Sequence, residues 1–325
     1  YRKEGAEPVR AVAGAAFSPE EIKPSMPPPD DFDGFWDRQK ARLAGIPLNL
    51  HLEPMQSGDA DVELFSIILD NINGTKVHGY LARPKREGPF AALLQVQWAG
   101  VYSLEPAWAS GHAKQGLLAL NINAHAIENG RPQQYYKELA EGALKDYPYQ
   151  ARDDRESCYF LRMYLSCVRA AEYLAWRPDW DGQHLIAFGG SQGGAQALVT
   201  AALSPDVTAV AAHVPALCDL TGRVLPDRAP GWPMMVALKD GKPDPVQMEV
   251  ARYFDTVNFA GKVKVPVLVG TGFADLACPS SSVYAAYNVL PGPKRMVLDP
   301  LSGHVGRHPN WSRQVWKFVR EHSRN

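Results

Sequence analysis

Short apolar runs and helically spaced segments follow one another along the chain. The apolar runs lie at residues 90–96, 116–122, 207–214, 263–270 and 295–298. The helically spaced segments lie at residues 157–176, 193–203 and 311–322. A continuous apolar run is typical of a strand buried on both faces of a parallel sheet. Because strands and helices alternate, the pattern predicts an α/β fold with a doubly wound, mainly parallel sheet.

The first part of the chain has a different pattern. Residues 1–30 are polar and rich in proline, which indicates an extended segment lying along the surface. Residues 31–44 have helical spacing, with Asp30 or Asp31 as the N-cap. Residues 61–83 alternate around an Asn-Gly pair and predict a hairpin. We therefore expect an extended segment over 1–30 and a single α/β domain over 31–325.

A polar segment at residues 128–154 separates a predicted strand from a predicted helix. It carries four tyrosines: Tyr135, Tyr136, Tyr147 and Tyr149. Connections of this length are uncommon without a role, and they often carry specificity or assembly contacts. We expect an insertion here within the domain.

Composition narrows the functional classes. The chain has 325 residues, is 46% hydrophobic and has a formal net charge of −1, with both signs interspersed. This balance argues against nucleic acid or an anionic membrane as a partner, and the apolar runs are too short to cross a bilayer. The four cysteines form no C-x-x-C pair, so buried free thiols are favoured over a metal site.

The most informative local motif is Gly189-Gly190-Ser191-Gln192-Gly193-Gly194. An apolar strand precedes it and a helix follows, which is the context of a G-x-S-x-G nucleophile elbow. The turn is so tight that we expect all four glycines to be required for space. The motif predicts that Ser191 is the nucleophile of a hydrolase or acyltransferase.

A serine nucleophile needs an imidazole base held by a carboxylate. In this fold the order along the chain is serine, acid, histidine, each in a loop after a strand. Asp275 follows the strand at 265–270, and His304 follows the strand that ends at Leu298. We expect Asp275 and His304 to act with Ser191.

Other acids and histidines fit these roles less well. Asp299 lies too close to His304 in sequence, and Asp255 has the position of a helix cap. His308 does not directly follow a predicted strand. His213 is near enough to line the pocket, but it precedes the acid and so breaks the expected order along the chain. The remaining histidines are interpreted as surface or core residues.

Positions relative to the elbow and to the predicted strands also indicate the oxyanion donors and the pocket residues. We expect the N–H groups of Gln192 and Ala99 to bind the oxyanion, because one follows the nucleophile and the other lies after the strand at 90–96. Loops near the elbow carry further pocket candidates: Trp98, Trp108, Pro215 and Trp232. This chemistry requires no metal and no organic cofactor.

The elbow and several other motifs resemble carbohydrate esterase family seven, the acetyl xylan esterase and cephalosporin C deacetylase group. The family's G-x-S-Q-G-G signature is present at 189–194. Further similar stretches are Asp31-Phe32-Asp33-Gly34-Phe35-Trp36, residues 253–260, residues 275–288 and Gly292-Pro293-Lys294. The resemblance covers the chain from about residue 30 to its end.

This resemblance implies an α/β-hydrolase that removes acetyl groups from acetylated carbohydrates. It implies Ser191 as nucleophile, His304 as base and Asp275 as its partner, with N–H donors from Ala99 and Gln192. Members of the family often form trimers or hexamers, so a homo-oligomer is expected.

The chain also departs from the family pattern. Asn123-Ala124-His125-Ala126-Ile127 stands where the family has Arg-Gly-Gln-Gly, and Val305 follows the histidine in place of glutamate. Ala99 stands where the family generally has tyrosine. Residues 128–150 look more helical and charged than the family's assembly loop.

Three other functions, in two classes, stay open at this point. Two are enzymes: an α/β-hydrolase acting on other small esters, or a peptidase similar to prolyl oligopeptidases. The third, from a different class, is a noncatalytic carbohydrate-binding protein on an inactive hydrolase scaffold. The proline-rich start resembles the trimmed edge of a secreted polysaccharide-degrading protein, so we expect a secreted or periplasmic location, with the cytoplasm as the alternative.

Overall fold

The computed structural model describes residues 12–324, and over this range two sheets and nine helices are present. The strands are β1 (His51–Met55), β2 (Val62–Asp70), β3 (Lys76–Pro84), β4 (Phe90–Val96), β5 (Leu118–Ile122), β6 (Trp180–Gly190), β7 (Ala209–His213), β8 (Leu238–Lys239), β9 (Lys242–Pro243), β10 (Val267–Thr271) and β11 (Lys294–Leu298). The helices are α1 (Phe32–Ala44), α2 (Pro106–Ala113), α3 (Gln133–Glu141), α4 (Tyr159–Trp176), α5 (Gln192–Leu203), α6 (Pro245–Phe254), α7 (Thr256–Ala260), α8 (Ser280–Val289) and α9 (Pro309–Glu321).

Nine of the strands form the main sheet, in the order β1-β2-β3-β5-β4-β6-β7-β10-β11. The strands from β5 to β11 in that order pair in parallel, whereas β1, β2 and β3 extend the sheet in antiparallel fashion. The predicted α/β class with a mainly parallel sheet is confirmed. The small hairpin of β8 and β9 lies outside this sheet.

Both faces of the sheet are covered, as the continuous apolar runs predicted. In β4, Ala92 and Leu94 belong to the larger core, which also contains the buried face of α4. Ala91 and Leu93, on the opposite face of the same strand, pack in a second core that α9 covers through Trp311. Alternate residues of one strand therefore reach two cores.

The elements predicted from long apolar or helical patterns are confirmed within a few residues. The predicted hairpin is β2 and β3, and the strand at 90–96 is β4. Strand β1 and helices α2, α6 and α8 were not predicted from the sequence pattern. Helix α2 begins with a proline and contains a glycine, so its short run of small residues shows no distinct apolar stripe.

Residues 12–30 lie along the surface of the domain. Asn288 donates hydrogen bonds to the carbonyls of Pro19 and Ile22, and Ser25 contacts Asp219. Residues 1–11 of the predicted extended segment lie outside the described residues. The domain boundary at residue 30 stays a prediction.

Helix α1 confirms the predicted helix, but its N-cap works differently from the expectation. Asp31 occupies the cap position, yet its side chain makes no capping hydrogen bond. Its carboxylate instead pairs with Arg155 and accepts a hydrogen bond from Tyr253. Pairing with Arg155, which directly follows the predicted insertion, thus takes the place of capping at this helix start.

The predicted insertion lies between β5 and α4 and contains α3 and a short 3-10 turn at Tyr147–Tyr149. The four cysteines are free and buried, which confirms that interpretation. Among residues 12–324, no helix combines the length and the apolar character needed to span a membrane.

Candidate active site

Ser191 lies between the end of β6 and the first residue of α5, in a strained backbone conformation. Its φ is 55° and its ψ is −122°, a region that side-chain-bearing residues rarely adopt. The adjacent strand β7 holds the turn, because the Ser191 N–H donates to the His213 carbonyl at 2.8 Å. The Ser191 carbonyl accepts from the Ala216 N–H at 2.9 Å.

Close backbone contacts explain most of the glycines at the elbow. A Cβ at Gly189 would lie 2.3 Å from the Gly193 carbonyl oxygen, and one at Gly193 would lie 2.6 Å from the Val96 carbonyl oxygen. A Cβ at Gly194 would also be tight, at 3.0 Å from the His213 oxygen. At Gly190 the nearest atoms lie 3.9 Å away. The expectation that space requires all four glycines is therefore wrong for Gly190.

The structure brings Ser191, His304 and Asp275 together. The Ser191 Oγ lies 2.8 Å from His304 Nε2, and His304 Nδ1 lies 2.8 Å from Asp275 Oδ2. The loop after β10 delivers Asp275, and the loop after β11 delivers His304. Parallel strands end at the same edge of the sheet, which is why residues 29 and 113 positions apart meet here.

The environment of Asp275 fixes the histidine. Its side chain is fully buried, and its Oδ1 accepts hydrogen bonds from the N–H groups of Ala277 and Cys278. Its Oδ2 is left to accept from the Nδ1–H of His304. This favours the tautomer in which Nε2 presents a lone pair to Ser191.

The rejected acids have structural roles. Asp255 caps α7 and accepts the N–H groups of Asp219 and Leu220, so the interpretation as a cap is confirmed. Asp299 accepts the N–H groups of Asn310 and Trp311 at the start of α9.

The two competing histidines pack against each other, and one of them, His213, borders the cavity at Ser191. The His213 ring stacks on Trp311 with 4.7 Å between ring centroids, and it meets the His308 ring edge-on at 4.3 Å. Burial lowers the pKa of His213 to about 3, with smaller contributions from His308 and His304. His213 therefore stays neutral beside the serine and lines the reaction cavity.

The cavity at Ser191 has a volume of about 520 Å³ and is lined mostly by apolar groups. Of the four predicted wall residues, it contains Trp98 and Trp232, together with Ala99. Trp108 lines a neighbouring cavity instead, and Pro215 is buried against Gly194 of the elbow. His213, expected to lie near the pocket, lines the cavity as well, and three further lining residues were not predicted: Val214, Ala277 and Val305.

A buried network joins the loop that carries Ala99 to the elbow. The Tyr147 hydroxyl donates to the Gln192 side-chain oxygen at 2.8 Å and accepts from the Gly100 N–H at 3.4 Å. His125 Nε2 donates to the Gly100 carbonyl at 2.9 Å, and its Nδ1 accepts from the Tyr159 hydroxyl at 2.8 Å. These contacts fix residues 98–100 relative to Ser191.

The roles of Tyr147 and His125 were not predicted from the sequence. Tyr147 was one of several tyrosines in the insertion, and His125 was interpreted as a surface or core residue. His125 is buried, and burial lowers its pKa to about 4, so it holds Gly100 as a neutral ring. No local motif marks either residue, since their partners lie 25 to 47 positions away.

One group of side chains has metal-ligand chemistry. Asp275, Cys278 and His304 place one potential ligand atom each within 4.8 Å of one another. The Asp275 and His304 atoms already bond to each other, and burial raises the pKa of the Cys278 thiol, which disfavours the thiolate that a metal needs. The arrangement suits proton transfer better than metal binding.

The fold and this site define an α/β-hydrolase. The model of the acetyl xylan esterase (AXE1) family matches residues 19–322. The acetyl esterase Axe7A of Xylanibacter ruminicola is 34% identical over 307 residues, which is 92% of this chain and 69% of that protein.

Solved structures agree with this relationship. The acetyl xylan esterase from Paenibacillus sp. R4 superposes with a TM-score of 0.79 at 25% identity, covering 94% of this chain and 98% of that one. Acetyl xylan esterase 1 from Thermoanaerobacterium sp. JW/SL YS485 shares the fold, with a TM-score of 0.79 at 21% identity over 93% and 97% of the two chains. The chain belongs to the acetyl xylan esterase family and is a carboxylic ester hydrolase.

The elbow geometry predicts that alanine destabilises the fold by different amounts at the neighbouring positions Gly189 and Gly190. We expect Gly189→Ala to lower the free energy of unfolding by about 3 kcal/mol, because its Cβ would overlap the Gly193 backbone. Gly190→Ala should change it by less than about 1 kcal/mol. Urea unfolding followed by tryptophan fluorescence measures both, and equal destabilisation by the two variants would contradict the described packing.

Proposed function

We propose that the protein is a serine esterase that removes acetyl groups from acetylated carbohydrates through Ser191, His304 and Asp275. The observation that carries the proposal is the hydrogen-bonded chain from Ser191 through His304 to Asp275, located at a strained elbow that opens into a cavity. Membership of the acetyl xylan esterase family and the 34% identity to an acetyl esterase support acetyl esters as the substrate.

The first half of the reaction forms an acetyl-enzyme. His304 Nε2 accepts the proton of Ser191 as the Oγ attacks the acetyl carbonyl carbon. The imidazolium that results is stabilised by Asp275, whose Oδ2 already accepts from Nδ1. His304 then protonates the sugar oxygen as the tetrahedral intermediate collapses, and the deacetylated sugar leaves.

The negative oxygen of the intermediate requires donors that are already in place. We assign these to the N–H groups of Gln192 and Ala99. Gln192 is the first residue of α5, so its N–H lacks a helical acceptor and lies at the positive end of the helix dipole. Ala99 lines the same cavity as Ser191. The Tyr147 and His125 contacts hold both segments before substrate arrives.

The second half repeats these steps with water. His304 removes a proton from the water as it attacks the acetyl carbon, and Ser191 recovers its proton when acetate leaves. His213 lines the cavity near this step, and its low pKa keeps it neutral. It adds no second positive charge beside the imidazolium of His304.

The homo-oligomer and the exported location stay predictions. Sedimentation velocity of the purified protein would test the first, and fractionation of the producing cells would test the second.

Ser191→Ala removes the proposed nucleophile. We expect the rate of acetate release from acetylated xylo-oligosaccharides to fall by about 10⁴-fold or more, because the acetyl-enzyme cannot form. Release of acetate by the wild type and the variant is measured side by side with a coupled acetate assay.

A matched control is Ser302→Ala, which removes a hydroxyl from the loop that carries His304. The Ser302 hydroxyl donates to the Arg307 carbonyl and not to the reacting groups. Full activity in Ser191→Ala would refute the assignment of the nucleophile. A wild-type protein that hydrolyses 4-nitrophenyl acetate but no acetylated sugar would refute the substrate class.

Tyr147→Phe tests the support of the two N–H donors. Loss of the hydroxyl leaves the Gln192 side-chain oxygen and the Gly100 N–H without this partner. Since the donors act in the transition state, we expect kcat for 4-nitrophenyl acetate to fall by about tenfold while KM stays within about twofold. Steady-state kinetics separates the two constants.

Tyr164→Phe is the control for the loss of a buried hydroxyl. Tyr164 donates to the Phe254 carbonyl in the core, away from the site. This variant should lose stability but keep kcat. Equal kcat for Tyr147→Phe and the wild type would show that Tyr147 does not position the donors.

A further inference from the structure

A cavity larger than the one at Ser191 lies next to it and does not contain the serine. It has a volume of about 970 Å³ and lies between the loop after β4 and helix α3 of the insertion. Trp98 lines both this cavity and the reaction cavity. We call the larger one the outer cleft, lined by Trp98, Tyr102, Trp108, Arg131, Gln134 and Ala140 among others.

We propose that the outer cleft binds the sugar chain of an acetylated oligosaccharide while its acetyl group occupies the cavity at Ser191. This inference rests on the proposed function and specifies its substrate: a linear chain of several sugar rings rather than a single acetylated sugar.

Three aromatic rings form one wall of the outer cleft. The Trp98 ring lies 4.9 Å from the Trp108 ring and 5.6 Å from the Tyr102 ring, between centroids. Trp98 is 43% exposed although its ring packs against the other two. Flat, partly exposed aromatic faces bury apolar area against a ligand. The C–H faces of sugar rings supply such a surface.

The part of the lining that comes from helix α3 and the residues before it is a second wall, largely polar, with Tyr136 and Ala140 as its apolar members. Helix α3 and the residues before it contribute Gln133, Gln134, Lys137 and Arg131 to the lining. Arg131 pairs with Glu128, and Lys137 lies 3.9 Å from Glu141. Because acids pair with both cations, the wall offers hydrogen bonds without a strong positive field. This suits a neutral chain rich in hydroxyl groups better than an anionic one.

Continuity with the reaction cavity favours a substrate over a second copy of this chain. The sugar that carries the reacting acetyl group must extend from the cavity at Ser191 toward solvent. Trp98 is the shared wall, so a chain leaving Ser191 on this side passes directly onto the aromatic rings.

Two variants test the outer cleft in different ways. Trp108→Ala removes an aromatic face, and Ala140→Trp fills space from an exposed position without deleting a core contact. The readout is the ratio of kcat/KM on acetylated xylohexaose to kcat/KM on 4-nitrophenyl acetate. We expect this ratio to fall by about tenfold in Trp108→Ala, through the loss of one good stacking contact. A similar fall is expected in Ala140→Trp, because the new ring occupies the space of the sugar chain. Trp176→Ala, at the exposed end of α4, should leave the ratio unchanged.

Comparing substrates distinguishes a failure of the outer-cleft proposal from a failure of the proposed function. Wild-type enzyme should prefer acetylated xylohexaose over acetylated xylose. If it hydrolyses both equally well and neither variant changes the ratio, the outer-cleft proposal is wrong and the proposed function stands. If it hydrolyses the aryl ester and neither sugar, the proposed function itself is wrong.

Sedimentation velocity tests whether a second copy of this chain, rather than a sugar chain, occupies the outer cleft. The oligomeric state of wild type and Ala140→Trp should be the same. Dissociation of an oligomer by Ala140→Trp would identify the outer cleft as an interface between copies and overturn the proposal.

Discussion

The close packing of backbone against backbone at the elbow is the constraint on which the site depends. Gly193, at the start of α5, lies so close to the Val96 carbonyl that a single Cβ would overlap it. The same turn is tied to β7 through the hydrogen bond from Ser191 to His213. Strands β4, β6 and β7 are neighbours in the sheet, so these contacts join three strand ends. The strained serine, the Ala99 loop and the cavity wall then occupy fixed relative positions.

The insertion between β5 and α4 contributes to this rigidity. Tyr147 contacts both segments that carry the assigned oxyanion donors, and His125 holds the Gly100 carbonyl from the residues just after β5. His125 belongs to the stretch that differs from the family's Arg-Gly-Gln-Gly motif. In this chain, neutral hydrogen bonds from buried rings stabilise the loop beside the serine. The same insertion provides α3, the polar wall of the outer cleft.

The sequence predicted those features that local pattern determines. The continuous apolar run of β4 predicts a doubly buried strand, and the strand-serine-helix context predicts the elbow at Ser191. The order of Asp275 and His304 after later strands was enough to select them, because parallel strands end at one edge. These predictions depend on neighbours in sequence or on a rule of the fold.

Other features depend on contacts between distant segments, which no local pattern records. Trp98 and Trp108 are ten positions apart and were both predicted to line the cavity at Ser191. Only Trp98 does so, whereas Trp108 lines the outer cleft. Space at Gly190 depends on the position of His213, and the role of Tyr147 depends on the path of the insertion. The missed helices α2 and α8 are short and rich in small residues, so tertiary packing defines them more than periodicity does.

The central claim is that the elbow presents Ser191 as a nucleophile activated by His304. Labelling with a fluorophosphonate probe, followed by peptide mapping by mass spectrometry, tests it most directly. We expect one probe per chain on Ser191, loss of esterase activity in step with labelling, and much slower labelling of His304→Ala. Inactivation with the probe on another residue, or continued ester hydrolysis by fully labelled protein, would contradict it.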